Sequence, residues 1–186
     1  MKNPIEILAG IIKQNNINLS FNIIEVGAVQ VSDKQEPFYQ LLDYFPSSKI
    51  FGFELDAAIC SKMNASAKKG VKYYPHALGK ANEKRKLYIT QHPMCSSLYK
   101  PNEELIRLYN AFEFAYLKEE TEINTISLDY FIEQNKIGEI DFIKIDVQGA
   151  ELDVFQGGKK TLENVLKIVT EVEFIPHYIN QPLFGD

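Results

Sequence analysis

Hydrophobic residues follow two spacings along this chain, and the two spacings alternate. Short runs that are rich in β-branched and aromatic residues and poor in charges are typical of buried strands, and FNIIEV at 21–26 is the first such run. The next apolar residues recur three and four positions apart, which is the helical period, at Phe38, Leu41, Leu42 and Phe45. Because strand and helix patterns continue to alternate, the sequence predicts a layered α/β domain built from βαβ units.

The other predicted elements continue this alternation to the end of the sequence. A helix is predicted within residues 1–20, and the main domain within 21–186. Further strands are predicted at 50–55, 71–78, 84–90, 123–128, 142–147 and 168–174. Further helices are predicted before Gly70, through Leu105, Leu108 and Phe112, from a cap at Asp129 to Gly138, and over 150–166 with a break at Gly157 and Gly158. The sequence changes in character at about 91–120, which predicts a lid-like insertion that covers a pocket.

Composition narrows the class of protein. The 186 residues are 45% hydrophobic and 24% charged, which is ordinary for one globular domain. A formal net charge of −5 argues against binding nucleic acid through broad electrostatics, so we expect no nucleic-acid partner. No apolar run is long enough to span a bilayer, so we expect no membrane partner. Cys60 and Cys95 lie far apart without metal-ligand spacing, which favours a reduced compartment, with the cytoplasm as the expected location.

Two predicted strands end in an acidic residue that is followed within three positions by a glycine. The two segments are EVGA at 25–28 and DVQG at 146–149. In α/β sheets ligands bind at the carboxyl ends of the strands, where a small-residue turn lets the backbone approach a ligand closely. Glu54 ends the second strand, where an acidic side chain in this architecture accepts hydrogen bonds from both ribose hydroxyls. We therefore expect Glu25, Glu54 and Asp146 to face one cleft that binds a nucleoside.

The turn after the first strand argues against a dinucleotide ligand. Val29, Gln30 and Val31 stand where a dinucleotide fingerprint would have further glycines, so a pyrophosphate cradle is poorly supported. A nucleoside ligand without a diphosphate fits better than NAD, and a nicotinamide-dependent oxidoreductase is the less favoured alternative.

Several segments resemble the FkbM-type S-adenosylmethionine-dependent methyltransferases, and the resemblance runs from about residue 21 to the end. They are EVGA at 25–28, GFEL at 52–55, HALG at 76–79, SSLYKPN at 96–102, ISLDYFI at 126–132, IVTEVEF at 168–174, QPLFGD at 181–186 and, most specifically, DFIKIDVQGAELDVFQGG at 141–158. The resemblance implies a Rossmann-like, doubly wound, mostly parallel sheet of the class I methyltransferase type. It also implies S-adenosyl-L-methionine as cofactor and methyl transfer to oxygen, with a hydroxyl of a sugar or secondary metabolite as the small-molecule acceptor.

The resemblance also assigns roles to individual residues. The cofactor-binding residues it implies are Glu25, Gly27 and Ala28 for the methionine part, Glu54 for the ribose, and Leu55, Ala77 and Leu78 for the adenine. Ser97 is expected near the pocket, and Asp146 is expected to face both the sulfonium and the acceptor.

The sequence departs from the family pattern in three places. The family usually has Asp at the position of Glu25, with Asn and Gly shortly after, and an acid at the position of Gln148. The family's sheet normally gains two further strands after the segment that resembles QPLFGD, whereas this sequence stops at Asp186. We expect a C-terminally truncated domain. The alternative is a smaller sheet whose exposed edge is covered, as by a second copy in a homodimer.

Three residues are candidates for the catalytic base. An alcohol attacks more readily when a base removes its proton as the new bond forms, and Asp146, His76 and Glu173 could do so. Asp146 leads because its strand end lies beside the expected methyl position, although it could also cap the following helix. His76 could equally be a satisfied histidine at a strand end. No metal site is expected, and the second alternative function is a catalytically silent S-adenosylmethionine-binding module.

Overall fold

A computed structural model describes residues 4–29 and 36–186. The described ranges contain eight strands, which are β1 (Asn22–Val26), β2 (Lys49–Phe53), β3 (Val71–Tyr74), β4 (Ala77–Leu78), β5 (Glu83–Thr90), β6 (Leu117–Ile126), β7 (Phe142–Ile145) and β8 (Lys167–Thr170). Five of them form one parallel sheet in the order β3-β2-β1-β7-β8. This confirms the predicted Rossmann-like, doubly wound α/β fold.

Helices connect these strands. The α-helices are α1 (Pro4–Gln14), α2 (Leu41–Tyr44), α3 (Ala57–Ser66), α4 (Glu103–Ile106), α5 (Leu128–Gln134), α6 (Glu151–Gly157) and α7 (Lys159–Leu162). Short 3-10 helices cover Pro37–Gln40, Pro93–Cys95 and Glu113–Ala115. Within 4–29 and 36–186, no helix is both long and apolar enough to cross a membrane.

The central strand β1 has a covered face on each side. Ile24 and Val26 pack on one face with residues of α5, β7 and α6, whereas Ile23 packs on the other with Tyr39 and Leu42. A central parallel strand reads as a continuous apolar run because both of its faces are buried, which is why this segment could be recognised. From β1 the chain first adds strands on one side, β2 and β3, and later on the other side, β7 and β8. The strand order therefore reverses between β1 and β7, and a crevice is expected at their carboxyl ends.

The strand predicted over 71–78 is wrong as a single element. Its first half is β3 of the main sheet, and its second half is β4 of a separate sheet with the order β4-β6-β5. Pro75 lies between the two halves and has no N–H to donate, and the N–H of His76 turns back to the carbonyl of Tyr74. The predicted edge strand at 84–90 is an edge strand, β5, although it belongs to this second sheet.

Two predicted helix boundaries also differ. The helix through Leu108 is wrong, because α4 ends at Ile106 and Leu108 is 77% exposed. The cap of α5 is the Ser127 hydroxyl, which accepts from the N–H of Tyr130, whereas Asp129 accepts from the N–H of Thr161 at the start of α7. The helix ends at Gln134, before the predicted stop at Gly138.

Candidate functional site

The turn after β1 is fixed between the ends of its two neighbouring strands. The N–H of Asp146 donates to the carbonyl of Val26 over 3.1 Å, and the N–H of Ala28 donates to the carbonyl of Phe53 over 3.0 Å. Gly27 has a φ of +76°, and a Cβ at this position would overlap the carbonyl oxygen of Asp146. Only glycine fits this turn without strain, and its lack of a side chain leaves backbone exposed for close approach by a ligand.

Asp146 follows the end of β7 and holds its carboxylate between two donors. The Nζ of Lys144 lies 3.1 Å from Oδ2, and the amide Nε2 of Gln148 lies 3.2 Å from Oδ1. The side chain of Asp146 is 32% exposed, so the oriented carboxylate is still accessible to a ligand. The alternative role as a helix cap is not found, because α6 has no side-chain cap and Glu151 accepts instead from the N–H of Val147.

Lys144 is a residue of this site that the sequence reasoning missed. Its side chain is 15% exposed, and its Nζ also lies 4.0 Å from Oε1 of Glu36. Residues two apart on a strand share a face, so the strand alternation of KID could have indicated that Lys144 accompanies Asp146. In the register of the sheet Lys144 lies opposite Glu25, which places one ammonium among several carboxylates.

Glu25 is turned into the protein. It is 1% exposed, and the hydroxyl of Tyr39 donates to its Oε2 over 2.5 Å, with the hydroxyl of Tyr73 a further 2.8 Å beyond. Burial raises the pKa of Glu25 to about 7, against opposing effects of the Tyr39 hydrogen bond and of Lys144. The prediction that all three strand-end carboxylates face one cleft is therefore wrong for the side chain of Glu25. No sequence pattern indicated Tyr39 as its partner.

Glu54 lies directly after β2, on the other side of the Gly27 turn from Asp146. Its Oε1 accepts from the N–H of Asp56 over 2.8 Å, and Asp56 in turn caps α3 through the N–H groups of Ala58 and Ile59. Glu54 is half-buried, and this burial raises its pKa. The carboxylate is thus held in place by a local turn while part of it stays accessible.

The residues predicted to lie beside an adenine have different surroundings. Leu55 is 36% exposed and Ala77 is half-buried, whereas Leu78 is in the hydrophobic core with Leu128 and Val154. His76 is exposed, with its ring 6.4 Å from that of Phe131. No hydrogen bond or ion pair within 4–29 and 36–186 connects the His76 side chain to Asp146, so the structure does not bring these two candidates together.

The acids after β8 divide into two environments. Glu173 Oε2 lies 3.4 Å from Nδ1 of His177, so this predicted base already has a partner. Burial, and then the charges of Asp146 and Glu173, raise the pKa of Glu171, while Lys144 lowers it. Glu171 is therefore the acid of this segment whose electrostatic surroundings include Asp146. In the part of the chain that the structure describes, no group of three His, Cys, Asp or Glu side chains is arranged to hold a metal ion.

Ser97 and Tyr178 hold the turn after Asp146 from two sides. Ser97 is buried, and its Oγ donates to the carbonyl of Gln148 over 2.6 Å and accepts from the N–H of Tyr99. The hydroxyl of Tyr178 donates to the carbonyl of Cys95 over 2.8 Å and lies 3.4 Å from Oε1 of Gln148. Gln148 has a φ of +57°, so these contacts stabilise a turn that its own backbone disfavours.

A cavity of about 450 Å³ lies behind the Gly27 turn, on the side of α3. Its described lining includes Tyr39, Tyr73 and Met63, and it includes neither Glu54 nor Asp146. Gly27, Glu54 and Asp146 lie instead where β1, β2 and β7 end. These strand ends offer a bare glycine turn between two accessible carboxylates.

Comparison with known proteins gives a family match. The model of the methyltransferase FkbM domain matches residues 25–186, a range that contains the Gly27 turn, Glu54 and Asp146. Neither the curated proteins nor the solved structures gave a match.

Proposed function

The chain belongs to the FkbM methyltransferase domain family, and from this premise we propose that it transfers the methyl group of S-adenosylmethionine to a hydroxyl oxygen of a sugar or secondary metabolite. The observation that supports the proposal most is the contact between two strand ends. The N–H of Asp146 bonds to the last residue of β1, and Gly27 has no room for a side chain beside Asp146. A backbone turn that can approach a ligand and a carboxylate that can accept a proton thus lie side by side.

The residues around this turn fit the cofactor. The backbone of Gly27 and Ala28, next to Glu25, would hold the methionine part, and the accessible part of the Glu54 carboxylate would accept from the ribose hydroxyls. Bound S-adenosylmethionine supplies a methyl group that is activated by a sulfonium cation. The carboxylates of Asp146 and Glu171 offer negative charge where that cation would lie.

The adenine side is the weaker part of the fit. Leu55 and Ala77 are accessible, and we propose that they contact the base. Leu78 is 4% exposed, so it would support Ala77 from the core and contribute little surface of its own.

Asp146 is the proposed base. Lys144 and Gln148 orient its carboxylate, and its exposure allows an acceptor hydroxyl to donate to it directly. Ser97 acts as a positioning residue because it fixes the carbonyl of Gln148 in the same turn. His76 is the second candidate base and Glu173, which already contacts a histidine, the third. The insertion at about 91–120 is proposed to exclude water from the reaction.

A catalytically silent S-adenosylmethionine-binding module is the alternative. The altered loop after Ala28 favours it, although Gln30 and Val31 lie outside the described residues. A nicotinamide-dependent oxidoreductase is disfavoured, since the sequence after Gly27 has no phosphate-cradling glycines.

Calorimetric titration with S-adenosylhomocysteine and with NAD tests the cofactor. We expect S-adenosylhomocysteine to bind more tightly than NAD. Glu54→Ala should weaken it about 100-fold, because two charge-assisted hydrogen bonds to the ribose are lost. The control is Glu119→Ala, at an exposed acid of β6. Tighter binding of NAD, or an unchanged affinity in Glu54→Ala, would contradict the proposal.

Transfer of a labelled methyl group to a panel of sugars and polyols tests the reaction. Asp146→Asn should lower kcat by about 100-fold or more while S-adenosylhomocysteine affinity changes little, because proton removal is lost and the turn is kept. Binding of S-adenosylhomocysteine without transfer to any acceptor would instead support the silent module.

A further inference from the structure

A second cavity lies at the opposite edge of the main sheet, where its strands begin. Its volume is about 320 Å³. The residues that line it are Asn22, Lys49, Phe51, Lys72, Tyr74, Asn135, Lys136, Ile137 and Gly138. Because the candidate methyltransferase site occupies the carboxyl edge, this cavity is separate from it, and no role has so far been given to its residues.

Among the residues that the structure describes, the lining of this cavity carries positive charge only. Three of its described residues are lysines and none of them is an acid, although the chain as a whole has a net charge of −5. Within 4–29 and 36–186, neither Lys49 nor Lys136 forms an ion pair. The ammonium of Lys72 lies 4.8 Å from the ring centre of Tyr74, which helps to localise it. Three like charges around one cavity repel each other, and an anion between them would relieve that repulsion.

The backbone brings these lysines together. Phe51 and Lys72 are register partners on neighbouring parallel strands, and Lys49 lies two residues before Phe51, so the three side chains share one face of the sheet. Lys136 comes to the same face from the turn after α5, where its N–H donates to the carbonyl of Glu133 and it has a φ of +51°. Two strands and a hydrogen-bonded turn therefore fix the positions from which the ammonium groups extend.

We propose that this cavity binds a small anion with more than one negative charge, of the phosphoryl class. The concave lining favours a free phosphorylated molecule over the flat surface of a membrane, although a phospholipid headgroup offers the same chemistry. Lysine recognises a phosphoryl group as a point charge, so the site selects charge rather than a particular scaffold. The inference does not depend on methyl transfer.

The test is calorimetric titration of the full chain with inorganic pyrophosphate at low ionic strength. The triple variant Lys49→Gln, Lys72→Gln, Lys136→Gln should weaken binding about 20-fold, since each exposed charge contact contributes modestly. Its affinity for S-adenosylhomocysteine should stay unchanged, which separates a failure of this site from a failure of the proposed function. Added salt should weaken pyrophosphate binding to the unaltered chain.

The matched control changes three exposed lysines elsewhere and is Lys13→Gln, Lys118→Gln, Lys159→Gln. Its net charge equals that of the first triple variant. It should bind pyrophosphate as the unaltered chain does. Equal weakening in both triple variants, or no pyrophosphate binding by the unaltered chain, would overturn the proposal. So would co-sedimentation with anionic phosphatidic acid vesicles in the absence of pyrophosphate binding, because that result would assign the lysines to a membrane.

Discussion

Replacing Glu25 by glutamine removes a buried titratable group while the amide oxygen can still accept from Tyr39. Glu25 is 1% exposed, and burial raises the pKa of its carboxyl group from 4.5 to about 7. A carboxyl group whose pKa is higher in the folded state holds its proton more tightly there than in the unfolded chain. Its contribution to stability is therefore fully present below pH 4.5 and is lost as the pH rises through 7.

The size of the effect follows from the two pKa values. The interval from 4.5 to about 7 corresponds to about 3 kcal/mol, at about 1.4 kcal/mol per pKa unit. Burial raises the pKa of Glu54, Glu151 and Glu171 as well, so the unaltered chain should lose stability over this range for several reasons. The difference between the chain and its Glu25→Gln variant isolates the part that is due to Glu25.

The assay is urea denaturation at intervals from pH 4.5 to pH 8, with the free energy of unfolding taken at each pH. Relative to the unaltered chain, Glu25→Gln should gain stability steadily over this range, to a total of about 3 kcal/mol. A constant offset from the altered hydrogen bond would not affect this slope. Glu119→Gln, at an exposed position on β6, should run parallel to the unaltered chain. A parallel profile for Glu25→Gln would refute the burial argument.

Three further substitutions have defined outcomes. Gly27→Ala should lower the free energy of unfolding by about 2 kcal/mol or more, because the new Cβ would overlap the Asp146 carbonyl at a positive φ. It should also abolish S-adenosylhomocysteine binding; thermal unfolding measures the first effect and calorimetry the second. Ser97→Ala should lower the free energy of unfolding by about 1–3 kcal/mol and lower kcat more than it raises KM, because the carbonyl of Gln148 loses its buried donor. Ser97→Thr should restore part of the stability and part of kcat. Arg85→Met should lower the free energy of unfolding by about 1–3 kcal/mol, because its 3.0 Å ion pair with a buried acid on α6 is lost. An unchanged denaturation curve would show that this ion pair does not stabilise the fold.

The main sheet was predictable because its strands are short apolar runs bounded by helices and turns. β1 is buried on both faces and β7 alternates half-buried with buried residues, so both runs are mostly apolar and their acidic ends were conspicuous. The break between β3 and β4 was missed because the apolar pattern continues across it. Only the neighbours of each half show that the chain leaves one sheet and joins another.

The candidate site was predictable in its backbone and less so in its side chains. Sequence placed Gly27, Glu54 and Asp146 at strand ends, and the parallel register brings these ends to one edge. The inward turn of Glu25 could not be predicted, since both faces of a central strand are covered and its partner Tyr39 comes from a later element.

Two predictions stay open in the same way. A lid over 91–120 and a homodimer depend on ligands and partner chains, whose contacts are not set by local sequence pattern. The insertion does contact the site, because the Oγ of Ser97 donates to the carbonyl of Gln148.

A crystal structure of the protein soaked with S-adenosylhomocysteine would show whether the cofactor binds at the carboxyl edge of the main sheet. We expect density for the ribose within hydrogen-bond distance of Glu54, for the homocysteine part against the backbone of Gly27, and for the sulfur facing Asp146. Density for the ligand in the cavity lined by Tyr39 and Tyr73, or elsewhere away from the carboxyl edge of β1 and β7, would contradict this expectation.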